Sequence, residues 1–113
     1  MKRLPKVSVN KLIKNLLYIN KDEVIFYHEN KKVSRLDLFN KILQARKILT
    51  KKGFKNKDKV ISLLDNSYEQ IILFLACFSL GIVWVPVEPK RKGIGLNYII
   101  SFIKPKAIFI RTK

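Results

Sequence analysis

Few side chains in this sequence have the type and spacing that chemistry requires. Lys92-Gly-Ile-Gly95 is a Gly-x-Gly ahead of a predicted helix, and the free amides of a helix start can hold an anion. The third glycine of a dinucleotide loop is missing and no strand leads directly into it, so the segment reads as a flexible loop. Lys90, Arg91 and Lys92 form a basic cluster able to meet the phosphates of a polyanion; isolated surface cations of this kind are ordinarily just solvated. Asp65 and Glu69 fall at the end of one predicted strand and the start of the next helix, where open α/β sheets bind ligands. A carboxylate there could act as an acid or base, but a Glu at a helix start is already accounted for by the helix dipole. Cys77 sits in an apolar helical stretch with no basic neighbour to ionise it, which makes it a buried, inert thiol. His28 lies in a polar turn and reads as solvated, and Trp84 in a strand reads as core rather than a stacking platform.

The elements that must position these groups belong to one small domain. The chain has 113 residues, 48% of them hydrophobic, which excludes a disordered or fibrous protein. One cysteine excludes a disulfide framework, and one histidine leaves little material for a His-based zinc site or a Ser/His/Asp triad. Charge is the extreme quantity, at +16. Residues 1–59 carry 17 basic and 5 acidic side chains, and residues 60–113 carry 7 and 3. Such a field could draw nucleic acid, an anionic membrane or acidic metabolites. Nineteen of the 24 cations are Lys, however, the weaker choice for bidentate phosphate recognition, so specific nucleic-acid binding is not expected. Pro5, Lys6, Asn10, Lys11 and Lys14 interrupt any apolar stretch behind the first residues, so no secretory signal is read there. The uncharged run Ile71–Val87 is close to membrane-spanning length, but Ser79, Gly81 and Pro86 divide it into a buried helix and a short strand, and no span is expected. A cytoplasmic location is expected.

Hydrophobic spacing supplies the order of elements. Ser8–Tyr18 reads as a short amphipathic helix with Leu12, Ile13, Leu16 and Leu17 on its apolar stripe. Asp22–Tyr27 reads as a strand, His28–Lys32 as a turn, and Val33 resumes extended structure to complete a hairpin. Ser34 and Asp37 start a helix that buries Leu38, Phe39, Ile42, Ala45 and Leu49 and ends at Gly53. After a turn at Asn56-Lys57-Asp58, Lys59–Leu64 is a strand. Ser67 and Gln70 have capping-box spacing for a second helix, whose core contacts are expected from Ile71, Ile72, Phe74, Leu75 and Phe78 and which Gly81 ends. Ile82–Val85 is the next strand, closed by Pro86 and Pro89. Leu96, Ile99, Ile100 and Ile103 mark a third long helix, broken by Pro105, and Ala107–Ile110 is the last strand. Apolar strands alternating with amphipathic helices need crossovers, hence a parallel sheet with helices on its faces. The fold class is α/β: a partial parallel sheet flanked by helices, with an N-terminal β-hairpin.

Four segments in this order carry a resemblance. They are Val33-Ser-Arg-Leu-Asp-Leu38, Lys52-Gly-Phe-Lys-Asn-Lys-Asp-Lys-Val60, Asn66-Ser-Tyr-Glu69, and Phe78-Ser-Leu-Gly-Ile-Val-Trp-Val-Pro-Val-Glu-Pro89. Together they resemble the opening of the adenylate-forming (AMP-binding) enzymes: acyl-CoA synthetases, luciferases and the adenylation domains of peptide synthetases. The resemblance runs from about Asp22 to Arg111, and Gly81–Pro89 is its most specific piece. Arg35 stands where the family usually has an aromatic, Lys57 where it usually has Gly, and Glu88 where Asp or Asn is common.

The resemblance implies an incomplete N-terminal subdomain of such an enzyme, with residues 1–21 a helical lead-in and 22–113 a partial AMP-binding domain ending before the phosphate-binding loop. The family's phosphate loop, ribose carboxylate, magnesium-site residues and catalytic Lys have no counterpart among these residues. No catalytic, cofactor-binding or metal-binding residue is therefore carried over. In the full-length family the cofactors implied are ATP, Mg and coenzyme A or a carrier phosphopantetheine. The expected function is the scaffold portion of an AMP-dependent ligase that converts a carboxylic acid to an acyl-adenylate and passes it to coenzyme A or a carrier thiol, with the chain inactive by itself. The expected partner is the remainder of the adenylation domain, and an uncovered sheet edge makes the isolated chain association-prone. The alternative is a stand-alone, non-catalytic basic binding module with the same partial fold.

Overall fold

The computed structural model describes residues 9–15, 20–65, 67–88, 90 and 93–111. Helix α1 (Val9–Lys14) is followed by the antiparallel hairpin of β1 (Val24–His28) and β2 (Lys31–Ser34), then α2 (Arg35–Lys51), β3 (Lys59–Ser62), α3 (Tyr68–Ser79), β4 (Val83–Pro86), α4 (Ile94–Ile103) and β5 (Ala107–Phe109). Of the stripe expected for the first helix, Ile13 is buried; Leu16 and Leu17, like the expected helix ends Ser8 and Tyr18, lie outside the described residues. The hairpin is tighter than its polar composition implies. Only Glu29 and Asn30 form the turn, both at positive φ (51° and 64°). That is the two-residue geometry whose twist matches paired strands, and it returns His28, Lys31 and Lys32 to the ladder.

The caps form where the sequence places them. The Ser34 hydroxyl accepts from the Asp37 amide (3.1 Å) and the Ser34 amide donates to the Asp37 carboxylate (3.0 Å), a complete capping box. At the other end the Gly53 amide donates to the Thr50 carbonyl and the Phe54 amide to the Leu49 carbonyl, with Gly53 at φ +88°. The same paired bonds close α3, from Gly81 to Phe78 and from Ile82 to Cys77. A side chain at Gly81 would collide with Asn56 as well as face a φ of +73°. Lys57 also lies in the left-handed region, at φ +75°, while its amide donates to the Gly81 carbonyl (2.8 Å). This Lys thus meets under strain a backbone conformation that favours glycine.

The three strands β3, β4 and β5 form a parallel sheet in the order β4-β3-β5. Pro86 is the last paired residue of β4, opposite Ser62, instead of lying beyond the strand. The edge position tolerates it, because no neighbour needs its missing amide. With right-handed crossovers, this order places α3 and α4 on opposite faces of the sheet. Side-chain parity agrees. Val60 joins Leu38, Ile42, Ala45, Leu49, Ala76 and Cys77 in one continuous core, whereas Ile61, equally buried, stands outside that cluster. On the α2/α3 side, Trp84 packs at a tilt against Phe74 (6.0 Å between centroids) and Phe109 (5.8 Å). On the other side, α4 buries no residue fully. Its expected inner positions, Leu96, Ile99, Ile100 and Ile103, are half-buried.

Candidate functional site at the carboxyl end of the sheet

The carboxyl ends of parallel strands are where an open α/β sheet can receive a ligand, since helix starts and loop amides converge there. Here β3 ends at Ser62, whose buried hydroxyl accepts from the Leu64 amide (3.3 Å). Neighbouring backbone holds the three strands together: the Leu63 amide donates to Phe109 (2.9 Å) and the Val87 amide to Ser62 (2.8 Å). The Ser67 hydroxyl caps α3 by accepting from the Gln70 amide (3.3 Å). The second half of the expected box is replaced by a different bond set. The Gln70 side-chain NH2, turned toward acceptors, donates to the Leu64 (2.6 Å) and Asp65 (2.7 Å) carbonyls and so ties the loop to the helix.

Three chain segments bring charge together above this end. Glu69, in the first turn of α3, receives Arg111 Nη2 at 3.3 Å from just beyond β5, and His28 Nε2 from the end of β1 stands 4.0 Å from its other oxygen. The Glu69 carboxyl is held below the ordinary glutamate value, first by its own backbone N–H, then by the Ser67 hydroxyl and the charges of Arg111 and His28, against some desolvation. A carboxylate so placed is an ionised electrostatic anchor and not a proton donor at neutral pH. Asp65 is exposed and makes no ion pair among the described residues. His28 is half-buried and belongs to β1, contrary to its expected place in a solvated turn. Its ring meets Tyr68 edge-on at 5.2 Å, and Phe26 meets the same ring at 5.1 Å. The Tyr68 hydroxyl is buried without a hydrogen-bond partner. A small recess of about 470 Å³ opens between Phe26, His28, Ser67, Tyr68 and Ile71.

Sequence reasoning missed Arg111 and Tyr68. Arg111 was findable: the residue that follows a third parallel strand must emerge near the helix that follows the first. Tyr68 was not, because the hairpin that receives its ring is placed only by tertiary packing.

The other singled-out residues do not converge. Cys77 is fully buried, and burial alone pushes its thiol up to about 11, so it stays protonated and inert. Gly93 precedes α4 at φ +69° with no side-chain cap, and a Cβ there would meet nothing within 4 Å. Lys90 is exposed; Arg91 and Lys92 lie outside the described residues. No group of three His, Cys, Asp or Glu among the described residues could hold a metal, and no described helix is long and apolar enough to cross a membrane. A larger concavity, about 1180 Å³, follows the outer flank of α2, with Lys41, Lys47 and Lys51 along it and Lys31 and Lys32 of the hairpin beside it. It shares only His28 and Tyr68 with the recess at the strand ends.

Comparison with known proteins bears on what this arrangement belongs to. Residues 17–113 match the family model described as AMP-binding enzyme. Tyrocidine synthase 1 of Brevibacillus parabrevis is 25% identical over 101 residues, covering 89% of this chain and 9% of that protein. The mitochondrial medium-chain acyl-CoA ligase ACSF2 of Rattus norvegicus is 26% identical over 89 residues, covering 79% and 14%. Among solved structures, VinN in complex with 3-methylaspartate superposes with a TM-score of 0.83 at 18% identity, over 91% of this chain and 29% of VinN. The N-terminal subdomain of Klebsiella oxytoca NpsA superposes at 0.80 and 19% identity, over 89% of this chain and 26% of that one. These structures share the fold. The chain thus spans less than a sixth of these two curated relatives and under a third of the solved chains.

Proposed function

This chain belongs to the AMP-binding enzyme family, and from that premise we propose that it serves as the N-terminal scaffold of an AMP-dependent synthetase or ligase. The whole enzyme would join a carboxylic acid to ATP, release pyrophosphate and pass the acyl group from the adenylate to coenzyme A or a carrier thiol, in the cytoplasm. Residues 22–113 are the scaffold and residues 1–21 its lead-in. That lead-in shares the core, since Ile13 packs in the cluster with Val33 and Leu38.

The observation that carries the reading is how the half-sheet is finished. The α2 and α3 ends are capped and share one core, while among the described residues β4 and β5 each pair on one side only and α4 has no fully buried residue. A unit built this way fits the role of one wall of a larger domain, with the remainder of the adenylation domain as its partner. No ATP or magnesium contact is assigned to the described residues. The Tyr68 hydroxyl is buried without a hydrogen-bond partner, while its ring meets Phe26 and His28 edge-on. No step of the reaction is therefore assigned to a residue here. The role left to this chain is to hold strand ends in register and to keep Glu69 ionised beside Arg111, a fixed charge pair at the rim of the sheet.

The test is ATP–pyrophosphate exchange by the 113-residue chain with a panel of carboxylic acids. No acid-dependent exchange is expected, and turnover above background would overturn the scaffold reading. A parallel measurement of molecular mass against concentration is expected to show self-association through the open strand edges.

A further inference from the structure

The outer flank of α2 carries cations that the fold does not use. Lys31 and Lys32 of β2 and Lys41, Arg46, Lys47 and Lys51 of α2 line the concavity of about 1180 Å³. None of the six makes an ion pair among the described residues. Asp37 is the one acid among the described lining residues, and its carboxylate already accepts from the Ser34 amide (3.0 Å) in the cap of α2. Glu29 and Glu69 approach His28 at the hairpin end, at 3.9 and 4.0 Å, but do not line the groove. The same lining holds apolar surface. Leu43 is 41% exposed, and Val33, Tyr68 and Leu80 border the same space. The Tyr68 hydroxyl is buried there with no hydrogen-bond partner. From Asp37 to Lys51 the lining follows α2 for about 21 Å at the helical rise.

We propose that this groove docks an acidic amphipathic helix of a separate protein. Its length takes about four turns of such a helix. Apolar residues at i, i+3, i+4 and i+7 would rest on Val33, Leu43 and Leu80, with carboxylates on either side meeting the six cations. The chemistry of the lining favours carboxylates over nucleic acid. Five of the cations are Lys, which lack the planar fork that Arg offers to phosphate. The rings in the lining, His28 and Tyr68, already pack edge-on against each other (5.2 Å) and are not free to stack bases. A planar lipid surface would meet the rim and leave the recessed Val33 uncovered. The complement does not come from these 113 residues either. All eight Asp and Glu lie among the described residues, and of these Asp37 alone reaches the groove. A second copy carries the same +16 and would be repelled. Nor is this the surface that the scaffold reading leaves to the rest of the enzyme, which is the open strand edges and the α4 side. The two readings therefore stand or fall separately.

The probe is a fluorescein-labelled peptide of about 15 residues, a leucine stripe flanked by glutamates, titrated with the 113-residue chain and read by anisotropy. Saturable binding that weakens as salt rises is expected. A peptide of the same composition with the stripe scrambled should bind at least about tenfold more weakly. The double variant Lys41→Glu/Lys47→Glu should lose about tenfold in affinity and should bind a peptide with Lys in place of each Glu, a gain that a misfolded chain could not show. Leu43→Gln, at an exposed position, should weaken the leucine-stripe peptide about threefold and leave binding of inorganic polyphosphate unchanged. Three results would overturn the proposal: no saturable binding, equal binding of the scrambled peptide, or tighter binding of an oligothymidylate of the same charge. The second would reduce the groove to a diffuse positive field, and the third would make single-stranded nucleic acid its occupant.

Discussion

The two faces of the sheet are built from similar material and reach different ends. On one, α2 and α3 close over Val60 and bury Leu38, Ile42, Ala45, Leu49, Ala76 and Cys77. On the other, α4 is the more apolar helix by composition, yet none of its residues is fully buried, and three large ones stand in solvent. The difference is coverage. A helix completes its burial only when neighbours flank it, and α2 and α3 flank each other while α4 lies alone on its face. Apolar content therefore measures how much burial a helix needs, and the neighbours decide how much it obtains.

Core truncation separates the faces most sharply. Ile42→Ala, at a fully buried site, should cost about 2–5 kcal/mol of unfolding free energy in urea. Ile99→Ala, on the half-buried stripe of α4, should cost about 1 kcal/mol, in line with its partial burial. Equal losses would mean that α4 is as well covered as α2. A smaller effect of opposite sign is expected in the turn that precedes the sheet. Lys57→Gly should raise stability by about 1 kcal/mol, because it relieves the left-handed conformation at φ +75° at the price of some unfolded-state entropy.

The smallest effect is electrostatic and also distinguishes the strand ends. Glu69 is held low at the carboxyl end. At the amino end Asp58 is held low chiefly by the Lys55 amide (2.7 Å) and then by Lys106 (3.2 Å). A carboxyl whose folded pKa is depressed adds stability above its unfolded pKa and loses it as pH falls through the folded value. Stability should accordingly decline below about pH 4. Both groups are solvent-accessible, so Glu69→Gln should shift neutral-pH stability by less than about 1 kcal/mol while flattening the acid limb; an unchanged acid limb would remove Glu69 from that account.

Much of this was readable in advance where the cause is local. Ser34 with Asp37, Gly53 and Gly81 announce helix ends through bonds that span three to five residues, and each forms as expected. The α2 stripe was readable at Leu38, Ile42, Ala45 and Leu49, whereas Phe39, expected with them, is only half-buried, and on α3 the burial falls on Ala76 and Cys77 while Ile71, Phe74 and Phe78 stay exposed. Where the cause is tertiary, reading fell short. His28 looked like part of a loop because polar residues surround it, but positive φ at Glu29 and Asn30 shortens the turn and draws it into β1. Gln70 had the right spacing for a box, yet nearby loop carbonyls at Leu64 and Asp65 offered its amide better acceptors. Pro86 read as a terminator, and its tolerance in β4 depended on that strand being at an edge.

By itself, then, the order of residues determined the α/β class, the succession of elements and the family resemblance, since periodicity, caps and glycine positions act over short stretches of chain. Only the tertiary structure decided that Arg111, Glu69 and His28 meet, that Tyr68 packs under the hairpin, and that one side of α4 is left in solvent. Those outcomes depend on which strand lies at the centre of the sheet and which helices share a face, and such relations exist only once distant segments have come together.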